Sequence, residues 1–294
     1  MICRLTFSTL ILLLSGWSAF ASDTGDDWPA TQPTTQIVPA GPVVMGADNQ
    51  DVAAGADEFP TRRVDIRSDL AFGTTPVTRG QFAAFMRATN HEIAGGCWTL
   101  TPDGWARDGT ANWQAPGFAQ SDQHPVTCVS RDDAMAYLAW LSAITGQVHR
   151  LPTEAEWVRA AGPSALNRPS EALCAHGNVN DLTAKNKVAK VAEHCDDGFL
   201  HTSPVASFAA NEFGLFDMVG NVWEWVADCH NGGYADVPMD GTTLTQDECE
   251  TYALRGHSWT DPPGPVRLGT RYALPPDARQ SIVGFRMVRE LPHE

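Results

Sequence analysis

Positive charge is scarce in this sequence. Twenty lysines and arginines stand against 35 aspartates and glutamates, a net charge of −15, and no basic cluster interrupts that balance. A partner built on a phosphate backbone is therefore not expected; the acidity suits solubility, or sites for a hard cation. No CxxC occurs, and the cysteine spacings do not fit a zinc site. The nine histidines show neither HxH nor HExxH spacing. GxSxG, Walker-A and GxGxxG phrases are also missing, which removes the hydrolase elbow, the phosphate loop and the dinucleotide fingerprint. Beyond the first twenty or so residues there is no long apolar run, internal repeat or low-complexity linker.

What is present begins with the first residues. Arg4 precedes an apolar stretch from Leu5 to Leu14, and Ala19-Phe20-Ala21 has the small-x-small form of a cleavage site. The stretch is too short for the roughly twenty residues that span a bilayer, and Cys3 lies too early for a lipobox. Residues 1–21 are therefore expected to be a signal peptide, which predicts a periplasmic or secreted protein without a membrane anchor. Residues 22–35, polar and rich in Thr, Asp and Pro, read as a flexible leader, and 36–294 as one domain.

Downstream of the leader stand Cys97, Cys128, Cys174, Cys195, Cys229 and Cys249. An even number in an oxidising compartment reads as a disulfide set. Six cysteines allow fifteen pairings; the sequential set, 97–128, 174–195 and 229–249, closes modest loops and is the expected one.

Local signals place three helices. Thr78 to Gln81 forms a capping box before Phe82, Phe85 and Met86, which share one helical face. Ser130 caps a segment through Ala134, Leu138 and Leu141 that stops at Gly146. Thr153 to Glu156 is a second capping box, opening a short helix with Trp157 that ends at Gly162. Ile37-Val38 and the Gly41–Gly46 stretch have the bias of strands. After Gly162 periodicity fades, and the residues predict mostly irregular structure. Of the ten tryptophans, Trp98, Trp105 and Trp113 read as core fillers of a loop-rich domain rather than a ligand surface.

Four phrases in the second half are more particular than composition. They are Leu151-Pro152-Thr153-Glu154-Ala155-Glu156-Trp157, the run from Phe213-Gly214-Leu215-Phe216-Asp217 to Gly220-Asn221-Val222-Trp223-Glu224-Trp225, Arg255-Gly256-His257-Ser258-Trp259, and Gly284-Phe285-Arg286. In order and spacing, from about Val38 to Arg289, the chain resembles the formylglycine-generating enzyme family, also called the sulfatase-modifying-factor domain. That family includes hercynine oxygenase and a periplasmic protein of pyoverdine maturation. The resemblance implies an irregular α+β fold, a variant of the C-type-lectin-like fold with little regular secondary structure.

The resemblance also implies two structural calcium sites. One would use Asn178 and Asp197 side chains with the Val179 and Phe199 carbonyls. The other would use Asp217 and Glu224 carboxylates with the Gly220 and Val222 carbonyls; calcium accepts such mixed oxygen sets. The family's copper enzymes hold their metal through two cysteines shortly after an Arg-Gly-Gly-Ser motif. Here no cysteine follows Cys249, and copper(I) requires soft ligands, so copper held through cysteines is not expected. The extra N-terminal domain that supplies iron-binding histidines in hercynine oxygenase is likewise not expected.

His257 occupies the position of the second glycine in that motif. With Asp261 it forms a candidate acid/base pair, since histidine titrates near neutrality, and Arg271 is the third candidate catalytic residue. The competing reading makes the arginines structural ion-pair partners. Two functions follow. One is an extracytoplasmic oxidoreductase-type enzyme or maturation factor acting on a peptide or secondary-metabolite substrate. The other is a non-catalytic, calcium-stabilised binding or accessory protein for a periplasmic redox enzyme.

Overall fold

The computed structural model describes residues 32–93, 95–101, 103–163, 170–184, 193–261, 267 and 269–291. The expected signal peptide and most of the leader lie outside these residues. The chain runs through β1 (Thr35–Val38), β2 (Gly41–Met45), β3 (Arg62–Ile66) and β4 (Leu70–Gly73) to helix α1 (Arg79–Thr89). A hairpin, β5 (Cys97–Thr101) and β6 (Gly104–Asp108), precedes α2 (Arg131–Thr145), β7 (His149–Arg150) and α3 (Glu154–Ala161). A single turn of helix, α4 (Ser170–Leu173), is followed by β8 (Trp223–Cys229), β9 (Tyr252–Arg255), β10 (Tyr272–Leu274), β11 (Val283–Phe285) and β12 (Val288–Glu290).

The three helices start where their capping residues predict. Thr78 Oγ1 accepts from the Gln81 N–H while Gln81 Oε1 accepts from the Thr78 N–H. Ser130 with Asp133, and Thr153 with Glu156, repeat the reciprocal pattern. Each box satisfies two of the N–H groups that a helix start leaves without partners. Gly146 closes α2 in the left-handed conformation, φ 66°, which a glycine adopts without steric cost.

The strands form two small sheets and two hairpin-like pairs. One sheet, ordered β1-β4-β12-β7, joins the beginning, middle and end of the chain. The other, ordered β10-β9-β8-β11, is mixed: β11 runs parallel to β8, and β9 antiparallel to it. This second sheet departs from the irregular structure expected after Gly162. Six of the seven residues of β8 are buried, Glu224 among them. A strand covered on both faces has no polar/apolar alternation to reveal it.

Two apolar clusters fill the interior. One packs α3 against β2 and β3 through Trp157, Val158, Met45 and Val64. The other joins α1, α2, β8 and β11 through Phe82, Tyr137, Trp225 and Phe285. Disulfides link Cys97 to Cys128, Cys174 to Cys195 and Cys229 to Cys249, which is the sequential pairing. Each closes a loop of 20 to 31 residues, and such a closure stabilises a fold by about 3 kcal/mol.

Candidate functional site

The site grows from the end of β9. After Arg255 the chain enters Gly256 at φ 110° and His257 at φ 66°. A Cβ at Gly256 would lie 3.2 Å from the Trp157 ring, so glycine lets the turn press against α3. The turn is stitched to the preceding loop: the Gly220 N–H donates to the Gly256 carbonyl (2.8 Å), and the Trp259 N–H to the Asn221 carbonyl (3.2 Å). Gly220 has φ 73°, and a Cβ there would fall 2.0 Å from the Asn178 carbonyl oxygen. Only glycine fits that crossing.

His257 is not glycine, although its backbone lies in the left-handed region where a side chain costs energy. Its ring stacks on Trp223, with centroids 5.0 Å apart and an angle of 23°. Its Nε2 is buried and has no hydrogen-bond partner among the described residues. Burial pushes its pKa below the ordinary histidine value; Asp261 opposes that shift, while Arg267 and Arg255 add to it. Burial thus favours the neutral imidazole over the imidazolium.

Beside this turn lies a cleft of about 560 Å³. The β5–β6 hairpin supplies Trp98 and Trp105 as one wall; Trp223, Tyr272 and Ile282 form the other, with Thr260, Asp261 and Gln280 as the polar lining. Trp98 and Trp105 are thus not core residues: 45% and 42% of their surfaces are exposed. Trp113 does fill the core, with its ring 5.5 Å from Phe82. The two misplaced indoles belong to a strand pair whose outer face has no further layer upon it.

The three candidate catalytic residues are only partly brought together. Asp261 Oδ2 accepts from the Ser258 N–H and hydroxyl, and no hydrogen bond joins Asp261 to His257 among the described residues. Arg271 is withdrawn from the pair altogether. It is buried, and its Nε and Nη2 donate to the two oxygens of Glu154 at 2.8 and 2.9 Å. Arg255 shares the same carboxylate at 2.8 Å, and the Arg271 guanidinium lies 4.4 Å over the Tyr234 ring. Burial opposes ionisation of Glu154, yet the two guanidiniums outweigh it and hold its pKa below the usual value. Here the ion-pair reading of the arginines fits the geometry.

The two proposed calcium positions differ. At the first, Asn178 is fully buried and its Oδ1 has no hydrogen-bond partner among the described residues. Asp197 accepts from the Val179 and Phe199 N–H groups, each at 2.8 Å. Asp181, which the sequence reading did not single out, joins them; its carboxylate and that of Asp197 have oxygens within 4.8 Å of each other. Burial and the neighbouring Asp181 push Asp197 up to about 7. Two adjacent carboxylates and an unpartnered amide oxygen are a hard, oxygen-rich donor set that fits calcium. The nearby Cys174 sulfur is bound in its disulfide.

At the second position Asp217 is buried, which pushes its pKa up to about 6, and accepts from the Ala206 N–H and from Asn221. Glu224 is occupied otherwise. Arg286 donates to both of its oxygens at 2.9 to 3.2 Å, and the Trp157 indole adds a bond of 2.7 Å. A guanidinium supplies the positive charge there.

A second cleft, of about 420 Å³, lies near β7 and includes Arg67, Arg150, Glu156, Asp240 and Glu290. Both of its arginines are paired, Arg150 with Glu156 and Glu290 and Arg67 with Asp240, and Asp69 accepts from the Ala40 N–H, so the lining keeps an excess of negative charge.

The sulfatase-modifying factor enzyme 1-like domain matches residues 22–291, almost the entire chain. This chain belongs to that family. The family's formylglycine-generating enzyme from Thermomonospora curvata is 30% identical over 288 residues, covering 85% of this chain and 91% of the relative. Inactive C-alpha-formylglycine-generating enzyme 2 of Bos taurus is also 30% identical, covering 85% of each chain. Among solved structures, PvdO from Pseudomonas aeruginosa superposes with a TM-score of 0.73 at 33% identity, over 87% of this chain and 93% of its own. Equal similarity to a relative named as an enzyme and one named inactive leaves the question of activity to the site itself. All six cysteines from Cys97 onward are joined in disulfides.

Proposed function

We propose that this chain is an extracytoplasmic formylglycine-generating-enzyme-like protein that binds a peptide or small secondary-metabolite substrate in the aromatic cleft. It acts as an oxidoreductase-type enzyme or maturation factor, and not by copper-dependent sulfatase activation. The observation that carries this reading is His257, an ionisable group with an unpartnered nitrogen where glycine would be free of strain. In this reading His257, which stacks on Trp223 rather than lining the cleft itself, takes up the proton released when a substrate held against Trp223 is oxidised. The electrons pass to an external acceptor such as dioxygen or a redox partner, and Asp261 contributes negative charge that favours the imidazolium. A calcium ion at Asn178, Asp181 and Asp197 would brace the loop that the Gly220 crossing ties to the catalytic turn.

The disulfides and the candidate signal peptide support a periplasmic or secreted location. No helix among the described residues is long and apolar enough to cross a membrane. A second reading, a non-catalytic accessory protein for a periplasmic redox enzyme, is favoured by the bridged cysteines and by the similarity to an inactive relative.

The test compares the extracytoplasmic metabolites and peptides of a strain lacking the gene with those of strains restored by the wild type or by His257→Gly. Restoration of an oxidised product by the wild type but not by the variant supports the proton-transfer role. Full restoration by His257→Gly removes His257 from the mechanism, and no product difference in any strain favours the accessory reading.

A further inference from the structure

The cleft has a chemical bias of its own. Two of its walls are aromatic faces, and its ionisable lining among the described residues is acidic: Asp261, with the phenol of Tyr272. Arg107 stands opposite Trp98 in the hairpin register, but its guanidinium lies against Gly96. Arg267 is occupied by Glu58 and Asp51. The stretch that follows Asp261, Pro-Pro-Gly-Pro-Val, carries no charge.

The register sets the spacing. Leu100 pairs with Trp105 and Trp98 with Arg107, so the two indoles are diagonal neighbours on one face of the hairpin. Diagonal cross-strand neighbours stand about 7–8 Å apart, so both indoles border the same stretch of the cleft. Opposite them, Trp223 and Tyr272 meet at 5.6 Å with a 45° tilt. Such rings attract a cation through their negative faces, and the net charge of −15 raises the local concentration of cations.

Asp261 narrows the choice further. Its Oδ2 already accepts two bonds from Ser258, which leaves Oδ1 for a ligand. A guanidinium pairs best with both oxygens of a carboxylate, whereas an ammonium needs only one. We infer that the cleft is an ammonium subsite: it takes a positively charged amine of the substrate against its aromatic lining, Trp98 and Trp105 included, balanced by Asp261. The inference rests on the cleft being the substrate site, as proposed above, and names what that site selects.

Titration of the purified full chain with choline, followed by intrinsic tryptophan fluorescence, tests it against the uncharged isostere 3,3-dimethylbutan-1-ol. Saturable quenching by choline is expected, with the isostere about tenfold weaker and Asp261→Asn or Trp98→Ala each weakening choline by about tenfold. Trp98→Phe should retain most of the affinity, because it keeps a ring face. Melting curves identify any variant that fails to fold; the isostere comparison uses wild-type protein and stands without the variants. Equal binding of the two ligands, no effect of Asp261→Asn, or no saturable binding would each overturn the subsite. The titration needs no turnover, so its failure leaves the strain-restoration assay of His257 untouched.

Discussion

Glu154 is the residue whose loss the structure predicts most sharply. Its carboxylate is 1% exposed and is shared by Arg255 and Arg271, both buried, at 2.8 to 2.9 Å. Glu154→Gln keeps the shape but removes the negative charge that the two guanidiniums share. Removing one partner of a buried ion pair costs about 3–5 kcal/mol, and here two cations lose the same counter-charge. Other acceptors, Thr270 O for Arg255 and Asp57 O for Arg271, soften the loss without cancelling charge. A cost of about 4 kcal/mol corresponds to a melting temperature lower by about 10 °C in a domain of this size.

Circular-dichroism melts at pH 7 measure the drop directly. Adding Arg271→Met removes one of the orphaned cations, so the double variant should be more stable than the sum of the single effects predicts, by at least about 1 kcal/mol. The depressed pKa of Glu154 means that its contribution is present above the range of an unfolded glutamate, about pH 4.3. It is lost as pH falls through the lower folded value, so the gap between wild type and variant should close in acid. A Glu154→Gln protein that melts within about 2 °C of wild type, or strictly additive losses, would refute the account.

Asp228 predicts the opposite pH trend. Burial, with Glu154 and Glu156 nearby, pushes it up to about 7, so its contribution to stability is present below the unfolded value and fades as pH rises through 7. Asp228→Asn should flatten that slope between pH 5 and 8 in urea melts; an unchanged slope would count against the assignment. Replacing Cys229 and Cys249 with serine should cost about 3 kcal/mol, and a guanidinium midpoint equal to wild type would deny the bridge a stabilising role. EGTA should lower the melting temperature, and Asp197→Asn should abolish the difference between calcium and EGTA; a melt indifferent to both would remove calcium from the Asn178 position.

Much of the frame was legible because its signals are local. Capping boxes at Thr78, Ser130 and Thr153 each need only four residues, and the structure starts a helix at all three. The sequential disulfides join neighbours along the chain. Other features needed information from far away. Arg271 looked available for chemistry because its partner Glu154 is 117 residues distant. Trp98 and Trp105 looked like core because an indole's identity does not reveal whether another layer will cover its strand. The sheet around β8 carried no alternation, as both of its faces are buried. Asp181 was overlooked because it stands 16 residues from Asp197 and no motif joins the two. His257 was visible from the start as a departure from a glycine pattern, and the structure adds the positive φ and the stacked Trp223 that give the departure meaning.

The β5–β6 hairpin has one fixed end and one loose one. Cys97 is tied to Cys128, and Trp98 exchanges backbone bonds with Arg279 and Ser281, whereas β6, which starts at Gly104 after the exposed Asp103, is largely exposed. The wall of the cleft is thus a lip moored at its root, with Leu100 packed against the core and Trp98 and Trp105 left outside it. Exchanges toward its tip would retune what the proposed subsite admits while leaving the buried Glu154 ion pairs alone. Selectivity and stability are carried by separate parts of the molecule, and one can drift without endangering the other.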